Sequence, residues 1–311
     1  MTAPVNASGL EHRAVRRSFE RAAATSDAAA ALPREVGARM AERLGIIKLQ
    51  PGAILDAGCG TGEALGELRM RFSDAQLYGV DFAPAMARAA AERSRRAADA
   101  RSPRTSLARL LGHRGAAAQR EARIVCADIA AQPFPNASFD LVWSNLVLHW
   151  VDDLPAAFAE FHRVLTVGGL LSFTTLGPDT LRELRVAFAG VDTHTHVHRF
   201  IDMHDVGDML VEAGFADPVM DMEMLTLTYS GVPALMGELK AVGAHNAARG
   251  RLRGLMSRAR WARMLGTLEG FMQAGRLPAS FEVVYGHAWK PKPLVAADGR
   301  AIVRFGAPPP R

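Results

Sequence analysis

The string Asp56-Ala57-Gly58-Cys59-Gly60-Thr61-Gly62 sets an aspartate two residues ahead of three glycines at alternate positions. Glycine reaches backbone conformations closed to other residues and leaves no Cβ between chain and ligand, so the string reads as a loop shaped to lie against a bound molecule. Two more carboxylates sit where strands should end, in Gly79-Val80-Asp81 and Cys126-Ala127-Asp128. An acidic side chain about 20 residues past such a loop can accept hydrogen bonds from ribose hydroxyls, which makes Asp81 a candidate ribose ligand, and Asp128 could receive an adenine amino group. Either aspartate taken alone also fits a helix cap or a turn. The glycine spacing departs from the Gly-x-Gly-x-x-Gly of dinucleotide sites, leaving room for a nucleotide cofactor of another kind.

These residues act together only if strands deliver them to one edge. Val36, Met40, Leu44 and Ile47 recur at helical spacing over Glu35 to Leu49, Pro51-Gly52 breaks the pattern, and Ala53-Ile54-Leu55 follows as a buried strand. Gln76 to Val80, Arg123 to Cys126, Phe139 to Ser144 and Leu170 to Thr175 read as further short strands, with helical stretches between several of them. Val219 to Tyr229 and Phe281 to Trp289 bring the count to seven. The expected fold is α/β: a Rossmann-like, seven-stranded, mostly parallel sheet with helices on both faces, plus helical additions.

We divide the chain into a helical cap on the substrate side over 1–50, a cofactor-binding core over 51–176, a part over 177–293 that completes the sheet and adds lid helices, and a tail over 294–311. Within the core, 94–121 is rich in Arg and Ala with little apolar periodicity and reads as an insertion. It is either a solvated loop or a surface for an acidic partner or nucleic acid; no aromatic residue is interleaved for base stacking, which favours the solvated loop.

At 311 residues and 49% hydrophobic, the composition is that of a globular protein with a proper core. Two cysteines, one inside the glycine loop, are poor material for a disulfide framework and point to a reducing cytoplasm. No apolar run approaches the ~20 residues of a membrane span, and the first 20 residues lack a signal-peptide core. A formal charge of +5 favours an acidic partner without choosing one.

The series Ile54-Leu55-Asp56-Ala57-Gly58-Cys59-Gly60-Thr61-Gly62, Gly79-Val80-Asp81-Phe82 and Phe139-Asp140-Leu141-Val142 resembles that of class I S-adenosylmethionine-dependent methyltransferases, over Gln50 to Thr175. The resemblance implies S-adenosylmethionine as cofactor and no metal. It also implies roles: Asp56, Gly58, Gly60 and Gly62 at the methionine part, Asp81 at the ribose with Phe82 beside it, Asp128 and Ile129 at the adenine, and Asn145 with Leu146 near the sulfonium.

Outside that span, Val15-Arg16-Arg17-Ser18-Phe19-Glu20-Arg21-Ala22-Ala23, Leu141 to Leu146, Phe173-Thr174-Thr175-Leu176, Leu239 to Asn246 and the closing His287-Ala288-Trp289 resemble the malonyl-acyl-carrier-protein O-methyltransferases of early biotin synthesis. That resemblance implies O-methylation of a free malonyl carboxylate on an acyl carrier protein, an acidic partner. A basic residue should then face the carboxylate, with Arg16, Arg17, Arg21, Arg182, Arg185, Arg199 and Lys240 as candidates; Arg182 has the better odds, and His149 could help position the acceptor. Where the family usually carries a tyrosine, this chain has Ala24-Thr25-Ser26-Asp27.

Other readings use other features. Leu32 to Leu44 and Gly177 to Arg185 also resemble a methyltransferase-like assembly factor of respiratory complex I. A nucleic-acid methyltransferase would use the arginine-rich insertion, and a non-catalytic binding protein would keep the fold for structure alone. Asp192-Thr193-His194-Thr195-His196-Val197-His198 would put three imidazoles on one face of an extended strand; lacking a nearby acidic or cysteine ligand cluster, it reads instead as an exposed linker with solvated histidines.

Overall fold

The computed structural model describes residues 9–101 and 121–293. Apolar runs without polar alternation form the central strands, as burial on both faces requires. β1 (Ala53–Ala57), β2 (Gln76–Asp81), β3 (Arg123–Cys126), β4 (Phe139–Ser144) and β5 (Leu165–Leu176) are paired in parallel. Of the two later strands, β6 (Ala216–Tyr229) and β7 (Leu277–Trp289), β7 lies between β5 and β6 and is antiparallel to both. The order across the sheet is β3-β2-β1-β4-β5-β7-β6, the seven-stranded, mostly parallel arrangement expected.

Consecutive residues of one strand serve opposite faces. Ile54, Leu141 and Trp143 pack with Val36, Met40 and Leu44 of one helical layer, while Leu55 and Val142 pack with Phe158, Phe161 and Phe173 on the other side. The strand order reverses between β1 and β4, and such a reversal opens a crevice at the carboxyl ends of the strands. The glycine loop, Asp81, Asp128 and Asn145 all follow or end strands at that edge.

The helices are α1 (His12–Ala22), α2 (Ala31–Leu44), α3 (Glu63–Arg71), α4 (Pro84–Arg101), α5 (Leu154–Val164), α6 (Arg182–Ala189), α7 (Met203–Glu212), α8 (Val232–Ala241) and α9 (Arg258–Glu269). A helix expected over Glu35 to Leu49 is thus α2, which starts earlier and stops at Leu44. The stretch Ser94 to Arg101, expected to open an insertion, continues α4, in keeping with the helix propensity of its Ala and Arg residues. Residues 102–120, most of that expected insertion, and the tail 294–311 lie outside the described residues. Among the described residues no helix is long and apolar enough to cross a membrane.

The first and last thirds of the chain are stapled together. Leu10 and Ala248 form an antiparallel bridge, the Glu11 N–H donates to the Ala247 carbonyl at 2.8 Å, and the Arg249 N–H donates to the Gly9 carbonyl at 2.9 Å. The Thr25 hydroxyl donates to the Ala241 carbonyl at 2.8 Å. Gly243, at φ +86°, passes beneath α1, where a Cβ would come within 3.0 Å of Phe19 Cδ1. This contact, with the positive φ, explains a glycine two residues after the end of α8.

Candidate functional site

A cleft of about 740 Å³ opens at the carboxyl ends of β1 to β4, with α1 and α2 forming its far side. Gly58 and Gly60 in its floor hold φ of +80° and +53°. At Gly58 a Cβ would strike Val147 at 2.4 Å, whereas at Gly60 it would meet no protein atom within 4 Å. The second position is therefore set by backbone conformation and lies open to whatever fills the cleft. Asp56 is buried beside it, and its Oδ2 has no hydrogen-bond partner. Burial, reinforced by the charge of Asp81, pushes the Asp56 carboxyl up to about 8. A buried carboxylate without a partner calls for a cationic one.

Asp81 and Asp128 each do two things. The Oδ1 of Asp81 accepts the Ala83 N–H at 2.8 Å, closing the turn into α4, and its Oδ2 accepts the Gly60 N–H at 3.0 Å. Asp128 Oδ1 accepts the Ala130 N–H at 2.9 Å in a like turn, and His12 of α1 reaches its Oδ2 at 3.0 Å. Both are turn residues and cleft residues at once, since a carboxylate has about four acceptor sites and each keeps some free. Burial raises the Asp81 carboxyl to about 6 against the pull of its two amide donors. Phe82 lies between the rings of His12 and Phe19, at 5.2 and 6.3 Å, and buried Ile129 adds an apolar wall.

The sequence offered no sign of the clamp between the N-terminal helices and the glycine loop. The Thr61 hydroxyl donates to Asp27 Oδ1 at 2.6 Å, while Asp27 Oδ2 pairs with Arg93 of α4. Arg34 of α2 pairs with Glu63, at the start of α3, at 2.5 Å and also donates to the Asp27 carbonyl. Next to Asp27, where a tyrosine is usual in the family resembled, the Ser26 hydroxyl is buried without a partner and lines the cleft.

Asn145 lines the cleft, and Leu146 divides it from a second cavity of about 190 Å³. The Asn145 amide donates to the Pro33 carbonyl at 2.9 Å, and the Thr174 hydroxyl donates to Asn145 Oδ1 at 2.7 Å and accepts the Leu146 N–H at 2.8 Å. This network holds Leu146 at φ 54°, a left-handed conformation that a leucine keeps only when its surroundings impose it. Phe19, Pro33, Leu146, Trp150 and Val242 border both spaces.

His149 lines the second cavity, not the cleft. Its ring packs against Trp150 and Phe200, its Nδ1 has no partner, and burial, aided by His198, pushes it down to about 3. It is a neutral imidazole at physiological pH and stores no proton for transfer. His196 and His198 line the same cavity, which corrects the expectation of a solvated linker. Phe188 stacks on His196 at 4.0 Å, Asp192 takes the His196 imidazole at 2.8 Å, and the Ala247 N–H donates to His198 Nε2 at 2.9 Å. These contacts turn the segment inward. Among the described residues no group of three or more His, Cys, Asp or Glu could hold a metal ion.

The structure does not bring Arg182 to either cavity. Its side chain is 60% exposed and leans on Glu183, while its neighbours Leu181 and Leu184 take the cavity wall. Arg185 is spent on the carbonyls of Pro178, Thr180 and His198, Arg16 pairs with Glu20, and Arg17 and Arg199 are exposed. Arg21 and Lys240 line neither cavity, but His245, on the second cavity's wall, is held below its usual basicity by burial first and then by the charges of these two residues.

The donor set fits a ligand carrying an ammonium group at Asp56, hydroxyls at Asp81 and a flat heterocycle beside Ile129. A family model described as a methyltransferase domain matches residues 55–173. The chain is 52% identical over 294 residues to a malonyl-acyl-carrier-protein O-methyltransferase of Laribacter hongkongensis, covering 94% of each. It is 51% identical to the protein of the same name from Gallionella capsiferriformans, covering 95% of this chain and 96% of that one. In solved structures the fold is similar to the YcgJ protein of Bacillus subtilis, at TM-score 0.54 and 15% identity over 82% of this chain and 98% of that one. The BH2331 protein of Bacillus halodurans is comparable, at TM-score 0.52 and 16% identity over 82% and 100%.

Proposed function

Since the chain belongs to the malonyl-acyl-carrier-protein O-methyltransferase family and is an S-adenosylmethionine-dependent O-methyltransferase, we propose that it methylates the free carboxylate of a malonyl group borne by an acyl carrier protein, early in biotin synthesis. Bound S-adenosylmethionine supplies a methyl carbon already activated by its sulfonium. Asp56 would pair with the cofactor's ammonium, the backbone of Gly58 to Gly62 would lie along its methionine part, Asp81 would accept from the ribose, and Asp128, His12 and Ile129 would border the adenine.

The observation that carries the acceptor assignment is the second cavity, divided from the cofactor cleft by Leu146 and bordered by His245 with Arg21 and Lys240 beside it. A malonyl carboxylate is ionised at neutral pH, so its oxygen attacks without a base. The protein's task is then to orient that oxygen, offset its charge and exclude water. Arg21 and Lys240, whose charges act on His245 in the cavity wall, would draw the carboxylate to that wall, Phe19 and Trp150 would keep water out, and a neutral His149 would pack the wall without exchanging a proton. We place the reaction in the reducing cytoplasm, where Cys59 and Cys126 stay free thiols.

Transfer of a labelled methyl group to malonyl-acyl carrier protein tests this reading, together with rescue of a biotin auxotroph. Carrier-bound methyl ester is expected at a rate lowered by Arg21→Ala or Lys240→Ala through acceptor KM. Absence of both transfer and rescue would overturn it.

A further inference from the structure

We infer that the outer face of α1, extended by Arg253, is the surface on which an acidic face of the carrier protein docks; the inference rests on the function proposed above. Arg13, Arg17 and Arg21 succeed one another at four-residue intervals, so they form one exposed ridge, while Val15, Ser18 and Ala22 are buried beneath it. Phe19, on the inner side of the same helix, borders both cavities. A partner gripping the ridge therefore sits directly over the junction of cofactor and acceptor spaces.

Many of the molecule's arginines are paired, and those that are not, such as Arg88, Arg95, Arg199 and Arg258, do not succeed one another along one helix face as the ridge does. Arg39 pairs with Glu35 and Glu223, Arg43 with Asp221, and Arg163 with Glu160. Arg13, Arg17 and Arg21 form no ion pair with any described residue, although like charges one helical turn apart disfavour the helix. At one end of the ridge, the hydrogen bond from Arg251, with smaller effects from the charges of Arg253 and Arg17, holds the Glu11 carboxyl below its usual range. Arg251 is largely spent on Glu11, but the Arg253 side chain lies 3.5 Å from it and stays 66% exposed. At the other end, Arg21 and Lys240 act on His245 at the second cavity. Exposed Arg13, Arg17 and Arg21 thus line one face of α1 between Glu11 and the side that carries His245, which suits a protein that presents acidic side chains and must deliver a tethered acyl group nearby. No aromatic ring is exposed along the ridge for stacking bases, which argues against a nucleic acid.

The test uses Arg13→Glu/Arg17→Glu and its control Arg13→Lys/Arg17→Lys. Binding of malonylated carrier protein is followed by fluorescence anisotropy, and methyl transfer is measured on that carrier and on a malonyl N-acetylcysteamine thioester, which has no protein surface. The Glu variant is expected to raise Kd and KM for the carrier about tenfold, flatten their salt dependence and leave turnover of the thioester unchanged, while the Lys variant behaves as wild type. An unchanged carrier Kd, or an equal loss on the thioester, overturns the docking surface. So does a variant that loses affinity for single-stranded RNA alone. Wild-type protein that binds the carrier but never methylates it leaves the docking surface standing and sinks the proposed reaction instead.

Discussion

The Gly60 N–H donates to Asp81 Oδ2 at 3.0 Å, so the carboxylate ending β2 fixes the loop that follows β1. The same side chain faces the cleft and keeps acceptor capacity for ribose hydroxyls. Asp81→Ala is expected to weaken S-adenosylmethionine binding by roughly 1 to 3 kcal/mol, through the lost acceptor and a loosened Gly60. Asp81→Asn, which keeps the shape and one acceptor, should lose less. Calorimetric affinity that does not change in the Ala variant would remove Asp81 from the site.

Asp56 couples cofactor binding to pH. Its carboxyl sits at about 8 in the folded chain without ligand, against about 3.9 for an ordinary unfolded aspartate. The folded state therefore holds a proton that the unfolded state has released, and stability without ligand should fall as pH rises from about 4 towards 8. A ligand ammonium favours the charged carboxylate, so binding near pH 7 should expel a proton, and affinity should climb by up to about tenfold per unit between pH 6 and 7.5. Calorimetry in buffers of different ionisation heat reads that proton directly. Asp56→Asn should abolish the release, and wild-type binding without it would contradict the assignment.

His149 and His198 predict acid lability. Burial holds them at about 3 and about 4, below the ~6.5 of an exposed imidazole. The folded chain refuses protons that the unfolded chain accepts, so stability present above pH 6.5 drains away as pH falls, by up to about 1.4 kcal/mol per unit for each histidine until its folded value is reached. His149→Phe should flatten that dependence in thermal melts between pH 6.5 and 4.5. It should also leave the pH profile of kcat/KM above 6.5 unaltered, because a carboxylate acceptor needs no base.

The Asp27 clamp predicts a coupled loss. Asp27→Ala strips the partner from the Thr61 hydroxyl and from Arg93, releasing the N-terminal helices from the glycine loop. A cost of about 1 to 3 kcal/mol in cofactor affinity is expected, with faster proteolysis within residues 9–30 that added cofactor slows. Unchanged protease resistance would show that the staple at Leu10 and Ala248 suffices alone.

How far the sequence could be read differs by element. Strand ends bounded by glycine or aspartate, as at Asp56, Asp81 and Asp128, were legible because an apolar run followed by a turn residue fixes a position within one or two residues. The start of β6 was less so, since the pairing slips between Ala216 and Val219 and blurs the alternation. The inward turn of His196 and His198 was hidden, because Phe188 and Ala247 hold them through tertiary contact, against what local spacing implies. Asp27 gave no signal either, its partners Thr61 and Arg93 lying 34 and 66 residues away. Nor could the sequence say that Arg182 faces outward while Leu181 and Leu184 meet the cavity, because spacing alone does not tell which side of a helical turn is covered.

The place of β7 has a consequence for the order of folding. Although it is the last strand among the described residues, it fills an interior position, and among those residues β6 (Ala216–Tyr229) pairs only with it. A nascent chain that has emerged as far as Glu269 has made β6 but given it no neighbour, so this edge waits as an unpaired template until Trp289 is available. A stop within Leu277 to Trp289 would therefore strand β6 as well as shorten β7, leaving β5 as a raw edge beneath the acceptor space.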